Sequence, residues 1–167
     1  MTTLDVESAY AHLRDSIAAV LSEAEARAGL SVVGVHSGGV WVAERLRRDL
    51  QLSGPDGALS SAFHRDDYGR RGLPVDLKST RLAFEVEGAD ILLVDDILFT
   101  GRTVRAALNE IFDYGRPARV RLAVLIDRGG RELPVSADFC GVRHELPADR
   151  AFVLSRDDSG RFSLVIE

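Results

Sequence analysis

Ile91-Leu92-Leu93-Val94-Asp95-Asp96-Ile97-Leu98-Phe99-Thr100-Gly101-Arg102-Thr103 is the stretch on which the fold of this 167-residue chain turns. Its opening is an apolar run of strand length, so Ile91 to Asp95 is expected to be a buried strand. From Thr103 to Tyr114 the apolar residues Val104, Ala107, Leu108, Ile111 and Phe112 recur at helical spacing, and Gly115 and Pro117 supply the stop. Between strand and helix stand two adjacent carboxylates and the loop Thr100-Gly101-Arg102-Thr103. In α/β sheets ligands bind at the carboxyl ends of strands. Hydroxyls and backbone N–H groups at a helix amino end suit a phosphate. Carboxylates suit the vicinal hydroxyls of a sugar, because they only accept hydrogen bonds. Acids beside a phosphate cradle describe a ribose 5-phosphate site. The competing use of Asp95 and Asp96 is to cap the helix or a turn, and for a single acid that use would be favoured.

Working outward, the same alternation repeats. Val6, Tyr10, Leu13, Ile17, Val20 and Leu21 predict a helix from Asp5 to Ala28, with Thr2 and Asp5 as a capping pair and Gly29 as its stop. Ser31 to His36 reads as a buried strand. A turn, His36-Ser37-Gly38-Gly39, leads into a helix over Val40 to Leu50 with Val42, Ala43, Leu46 and Leu50 on one face. Ala58 to Phe63 is a weaker strand. His64 to about Arg81 is polar and aperiodic, the character of a functional or mobile loop. Leu82 to Val86 is expected as a hairpin arm. Val120 to Ile126 is a further buried strand, and Ala151 to Leu154 and Phe162 to Ile166 flank the turn Asp157-Asp158-Ser159-Gly160. Strands of continuous apolar character alternating with helices predict an α/β fold, a mainly parallel twisted sheet flanked by helices, as one domain over residues 1–167.

Composition narrows the classes of function. With 46% hydrophobic and 28% charged residues the chain is globular. Its longest apolar runs are far short of a membrane span, and Met1 to Glu7 lacks the basic and apolar regions of a signal peptide. Cys140 is the only cysteine, so no intramolecular disulfide forms and a cytoplasmic setting is expected. Asp138-Phe139-Cys140-Gly141 reads as the end of a packed segment rather than a nucleophile's setting. A formal charge of −5 offers nucleic acid no global attraction. His12, His36, His64 and His144 have no metal-ligand spacing, so no protein-bound metal is expected. Trp41 falls at helical spacing and reads as packing.

Asp95-Asp96 with Thr100-Gly101-Arg102-Thr103 resembles the phosphoribosyl-pyrophosphate motif of type I phosphoribosyltransferases. Arg65-Asp66-Asp67, Val94 to Ala106, Asp113 to Pro117 and Leu122 to Pro134 extend the likeness to the pyrimidine-operon regulator/uracil phosphoribosyltransferase family. The resemblance implies the type I phosphoribosyltransferase fold with a small hood and a flexible lid loop. It implies that Asp95 and Asp96 would hold the ribose hydroxyls and act in catalysis. Leu98, Phe99, Thr100, Gly101, Arg102 and Thr103 would wrap the 5-phosphate. His36, Ser37, Gly38 and Gly39 occupy the place of the pyrophosphate loop, where glycines let backbone amides approach an anion. Many family members carry an arginine where Gly38 stands. Arg65 and Asp66, with Arg70 and Arg71, would belong to the lid, and a solvated charged loop is an equal alternative. Asp127, in Asp127-Arg128-Gly129, would lie beside the nucleobase.

The activity so implied is transfer of phosphoribosyl from 5-phosphoribosyl-1-pyrophosphate to uracil, giving UMP, with Mg²⁺ carried by the donor's pyrophosphate. Relatives commonly form dimers or larger homo-oligomers. Some bind leader RNA of pyrimidine operons, which makes a UMP-sensing, RNA-binding regulator the rival class. Arg116, Arg119 and Arg121, with Arg128 and Arg131, are its candidate basic surface, Arg119 and Arg121 sharing one side of a strand end. A transferase for another base, purine or orotate, is the third possibility.

Overall fold

In the computed structural model, residues 4–21, 24–60 and 79–167 are described. Arg65 and Asp66, the rest of the expected lid through residue 78, and the capping residue Thr2 lie outside them.

A six-stranded sheet carries the fold, in the order β3-β2-β1-β4-β5-β6. Its strands are β1 Leu30–Val35, β2 Asp56–Leu59, β3 Arg81–Leu82, β4 Asp90–Leu98, β5 Arg119–Asp127 and β6 Phe139–Arg143. All neighbours pair in parallel except β2 with β3. From β1 the chain moves outward to β2 and β3, then returns across to β4 and continues to β5 and β6. The direction of winding therefore reverses between β1 and β4, and their carboxyl ends border a crevice.

Period-two alternation sorts the central strands onto two cores. Leu92 and Val94 of β4, with Ala123 and Leu125 of β5, face one side, where they join Leu13, Ile17, Val42 and Leu46. Those last four come from α1 (Val6–Val20) and α3 (Gly38–Asp49). Ile91, Leu93, Leu122 and Val124 face the other side and meet Val104, Ala107 and Ile111. These three lie on α4 (Arg102–Tyr114). Strands buried on both faces explain the continuous apolar runs. A separate antiparallel pair, β7 (Phe152–Arg156) and β8 (Phe162–Ile166), forms the small second sheet and buries Phe152, Leu154 and Phe162 against the α1–α3 side.

Several expected boundaries change for local reasons. The first helix does not run to Ala28. It stops at Leu21, which is 3% exposed, and a short α2 (Ala24–Gly29) follows. Arg27 Nε donates to the freed Leu21 carbonyl at 2.8 Å, which satisfies the interrupted end. Asp5 caps α1, accepting from the amides of Glu7 and Ser8 at 3.1 and 3.2 Å. Gly38 and Gly39 are the first turn of α3 and not a free loop. Among the described residues the expected arm from Leu82 to Val86 pairs through Leu82 alone, in β3. Phe112 is 53% exposed, because Val104, Ala107 and Ile111 already span the arc facing the sheet and Phe112 lies about 100° further round. Asp138 to Gly141 opens a strand instead of ending one, and Cys140 there is half-buried, its thiol pushed up by burial. Among the described residues no helix is long and apolar enough to cross a membrane.

Candidate active site at the switch point

The two glycine-bearing and acid-bearing segments meet where the winding reverses. β1 ends at Val35, His36 N–H donates to Leu59 C=O at 2.9 Å, and α3 starts at Gly38. The His36–Ser37 peptide bond is cis. Next door, β4 carries Asp95 and Asp96 at its carboxyl end. Gly39 lies so close to this strand that a Cβ there would stand 2.5 Å from the Val94 carbonyl oxygen and 3.3 Å from Asp95 Oδ1. A Cβ on Gly38 would overlap the Asp96 carboxylate. Both acids thus sit against the first turn of α3, whose amides have no intrahelical acceptors.

Each carboxylate is oriented by the backbone that follows it. Asp95 Oδ1 accepts from Asp96 N–H at 3.0 Å, and Asp96 Oδ1 accepts from Ile97 N–H at 2.9 Å. Asp95 is 5% exposed, whereas Asp96 is half-buried. The pair does not cap α4, whose N-cap is Gly101.

The loop from Leu98 to Thr103 is held from one side by the segment after β5. Leu98 C=O accepts from Arg128 N–H at 3.0 Å. Phe99 C=O accepts from Arg131 Nη1 at 2.6 Å. Thr100 C=O accepts from the amides of Glu132 and Leu133, both at 3.0 Å, while Thr100 Oγ1 accepts from Arg102 N–H at 3.2 Å. Arg102 pairs with Glu132 at 2.8 Å. With the carbonyls of Leu98, Phe99 and Thr100 engaged there, the loop approaches α4 with its shape set before any ligand arrives. Gly101, at the N-cap of α4, has no side chain to cap the helix.

Asp127 ends β5 and belongs to the same knot. Its Oδ1 accepts from Gly129 N–H at 3.0 Å and its Oδ2 from Arg131 Nη2 at 2.5 Å. Burial opposes ionisation, but the Arg131 hydrogen bond, the Gly129 amide and the charges of Arg131 and Arg143 hold the carboxyl below the usual range. Arg131 further donates to Val135 C=O at 2.9 Å. Gly130 packs so tightly on the Phe99 ring that no side chain fits between them, and Arg128 covers that ring with its guanidinium carbon 3.8 Å from the centroid.

Arg128 and Arg131 therefore belong to the scaffold of this site, although sequence spacing grouped them with Arg116, Arg119 and Arg121 as a basic surface. Arg119 opens β5 and Arg128 follows its last residue. At the rise of a strand the two stand about 30 Å apart. Arg119 and Arg121 do share one side, and both pair with Asp90. Trp41 packs on the core, with Arg156 5.4 Å above its ring. Two open clefts of about 400 and 460 Å³ lie elsewhere, between α3 and the turn joining β7 to β8. Three of the arginines lining them are matched by acids, Arg45 by Glu7, Arg48 by Asp49 and Arg156 by Glu44. Among the described residues no three His, Cys, Asp or Glu side chains converge as a metal-ligand set. Asp95 and Asp96 offer hard oxygen donors only, which fits a divalent cation that arrives on a polyphosphate.

Residues 5–154 match the family described as phosphoribosyl transferase domain. The chain is 55% identical over 130 residues to a bifunctional protein PyrR from Ralstonia nicotianae, covering 78% of this chain and 74% of that protein. It is 44% identical over 164 residues to the bifunctional protein PyrR of Nitrosococcus oceani, covering 97% and 92%. Among solved structures, a hypoxanthine-guanine phosphoribosyltransferase from Bacillus anthracis superposes with a TM-score of 0.66 at 19% identity, over 86% of this chain and 81% of that one. A hypoxanthine phosphoribosyltransferase from Trypanosoma cruzi, in complex with its product IMP, gives 0.62 at 19% identity over 86% and 80%. At such identities these two establish the fold alone.

Proposed function

Since this chain belongs to the phosphoribosyl transferase domain family, we propose that it transfers phosphoribosyl from 5-phosphoribosyl-1-pyrophosphate to uracil, giving UMP and pyrophosphate. The observation that carries this reading is the meeting of Asp95-Asp96, the first turn of α3 and the 98–103 loop at one switch point. The likeness to the two PyrR proteins supports it and favours a pyrimidine over a purine acceptor.

In this proposal Asp95 and Asp96 accept hydrogen bonds from the ribose hydroxyls. The loop from Leu98 to Thr103 and the amino end of α4 take the 5-phosphate. His36 to Gly39 face the pyrophosphate, with Mg²⁺ neutralising that leaving group when bound. A ring nitrogen of uracil forms the new bond to the anomeric carbon as the bond to pyrophosphate breaks and its electron pair leaves with the pyrophosphate oxygen. The nitrogen's proton goes to water or to that oxygen. Positive charge develops on the sugar in between, and two carboxylates beside it lower the barrier electrostatically while the two loops fix the geometry. Asp127 and the backbone at Arg128 and Gly129 border the base.

Asp95→Asn combined with Asp96→Asn is expected to reduce UMP formation by a factor on the order of 10³ with the circular dichroism spectrum unchanged. Undiminished turnover would sink the assignment. Uracil, orotate, hypoxanthine and guanine, each offered with the same donor, decide the acceptor.

The word bifunctional in the relatives' description supports a second role, a regulator that binds leader RNA and senses UMP in this same pocket. The basic residues are divided between the two ends of β5, Arg119 and Arg121 at its start and Arg128 and Arg131 beyond its end. Sequence-selective RNA binding with steep salt dependence is the expected result, and a flat salt response excludes the role.

A further inference from the structure

Arg128 follows Asp127 directly and is 6% exposed. Among the described residues no carboxylate pairs with it. One nitrogen, Nη2, donates to Pro147 C=O at 3.2 Å, and Nε is buried without an acceptor. The remaining support is the face of Phe99, 3.8 Å from the guanidinium carbon. A cation over an aromatic face gains from the ring's quadrupole, but far less than burial of an unpaired charge costs. Hydrophobic packing would serve a purely structural position at least as well. A buried positive charge kept without a counter-ion points to an anion that arrives later.

Phe99 ties Arg128 to one particular loop. It lies inside the 98–103 loop, its ring wedged between Gly130 and Arg128 and its carbonyl held by Arg131. Arg128 also donates its own amide to Leu98, the first residue of the same loop. We infer that Arg128 is a positioning residue for the donor's 5-phosphate: its stack on Phe99 sets the loop, and its charge is balanced when the phosphate is seated. The inference rests on the 98–103 loop being the phosphate site of the proposed transferase.

Arg128→Met and Arg128→Lys separate this role from a structural one. Thermal melts are recorded with and without ribose 5-phosphate, and KM is measured separately for the donor and for uracil. With Arg128→Met, the melting temperature without ligand is expected to stay or rise, because an uncompensated charge is gone. The stabilisation by ribose 5-phosphate shrinks, and KM for the donor rises roughly tenfold, the scale of one charge-assisted contact. KM for uracil stays within about twofold, and Arg128→Lys, which keeps charge but loses the planar guanidinium, falls between. A lower melting temperature with the ribose 5-phosphate response intact makes Arg128 structural and overturns the inference. A rise confined to KM for uracil also overturns it, in favour of a base contact. If wild-type protein turns over uracil yet ribose 5-phosphate gives no shift, the phosphate role of the loop fails. Absence of any turnover in wild type is instead the failure of the proposed function.

Discussion

Arg45 and Arg128 both stand over aromatic rings, and their surroundings differ in kind. Arg45 stands 3.9 Å from the ring centre of Tyr10 and 4.9 Å from that of Phe162. Both of its terminal nitrogens donate to Glu7, at 2.8 and 2.7 Å, and Asp49 lies 3.7 Å from its Nε. Glu7 in turn accepts from Phe162 N–H at 2.8 Å, and Tyr10 donates to Asp49 at 2.8 Å. Every charge there has its partner, and the result is a tie between α1, α3 and β8. Arg128 has the ring but no carboxylate. The contrast teaches that burial and stacking alone do not distinguish a structural arginine from one that awaits a ligand. Charge compensation does.

The comparison breaks most visibly at Arg45. Arg45→Met leaves Glu7 without its partner and is expected to cost about 2 kcal/mol, less than a fully buried pair because the two side chains keep exposures of 19% and 27%. Denaturant melts should show that loss, with turnover per folded molecule unchanged. A melting temperature equal to wild type would mean that Arg45 and Arg128 do not differ in the way described.

Gly38→Ala tests the other region. A methyl group there displaces the Asp96 carboxylate, while alanine in a helix gains up to about 1 kcal/mol of propensity over glycine. Turnover should fall roughly tenfold with stability nearly unchanged. Equal loss of both would show that Gly38 serves the fold rather than the site.

The smallest effect is in pH. Glu7 is held below its ordinary value of 4.5 by the Arg45 hydrogen bond, against the opposing effect of burial, and with help from the Phe162 amide. Its contribution is complete above that pH and is lost as pH falls through the lowered value. Tyr10 is raised above 10.0 by burial and then by its hydrogen bond to Asp49. Its contribution is complete below that pH and is lost as pH rises beyond it. Tyr10→Phe should flatten the alkaline decline and lower stability at neutral pH by about 1 kcal/mol. An unaltered alkaline limb would place the titration elsewhere.

The strands and most helices were legible in the chain because their signals are local. Ile91 to Val94 and Val120 to Ile126 read as buried strands from their apolar runs, and Val104, Ala107 and Ile111 of the apolar spacing mark the inward face of α4. The acids at 95 and 96 were legible as a candidate site because no packing role calls for two carboxylates at the end of a buried strand. Other features were not legible. The break at Leu21 goes with Arg27 reaching back to its carbonyl, and the exposure of Phe112 follows from how wide an arc the sheet can cover, which spacing alone does not say.

What the sequence determined by itself, then, is the α/β class, the motif from Ile91 to Thr103 and the presence of a second glycine turn. Each rests on chemistry within a few consecutive residues. Tertiary structure alone decided which segments meet. It brought Gly38 and Gly39 against Asp95 and Asp96, and it folded Arg128 and Arg131 onto Phe99 instead of a basic surface. It also spent Arg119 and Arg121 on Asp90. Charge pairing at a distance is set by strand order and register, and neither is written in local spacing.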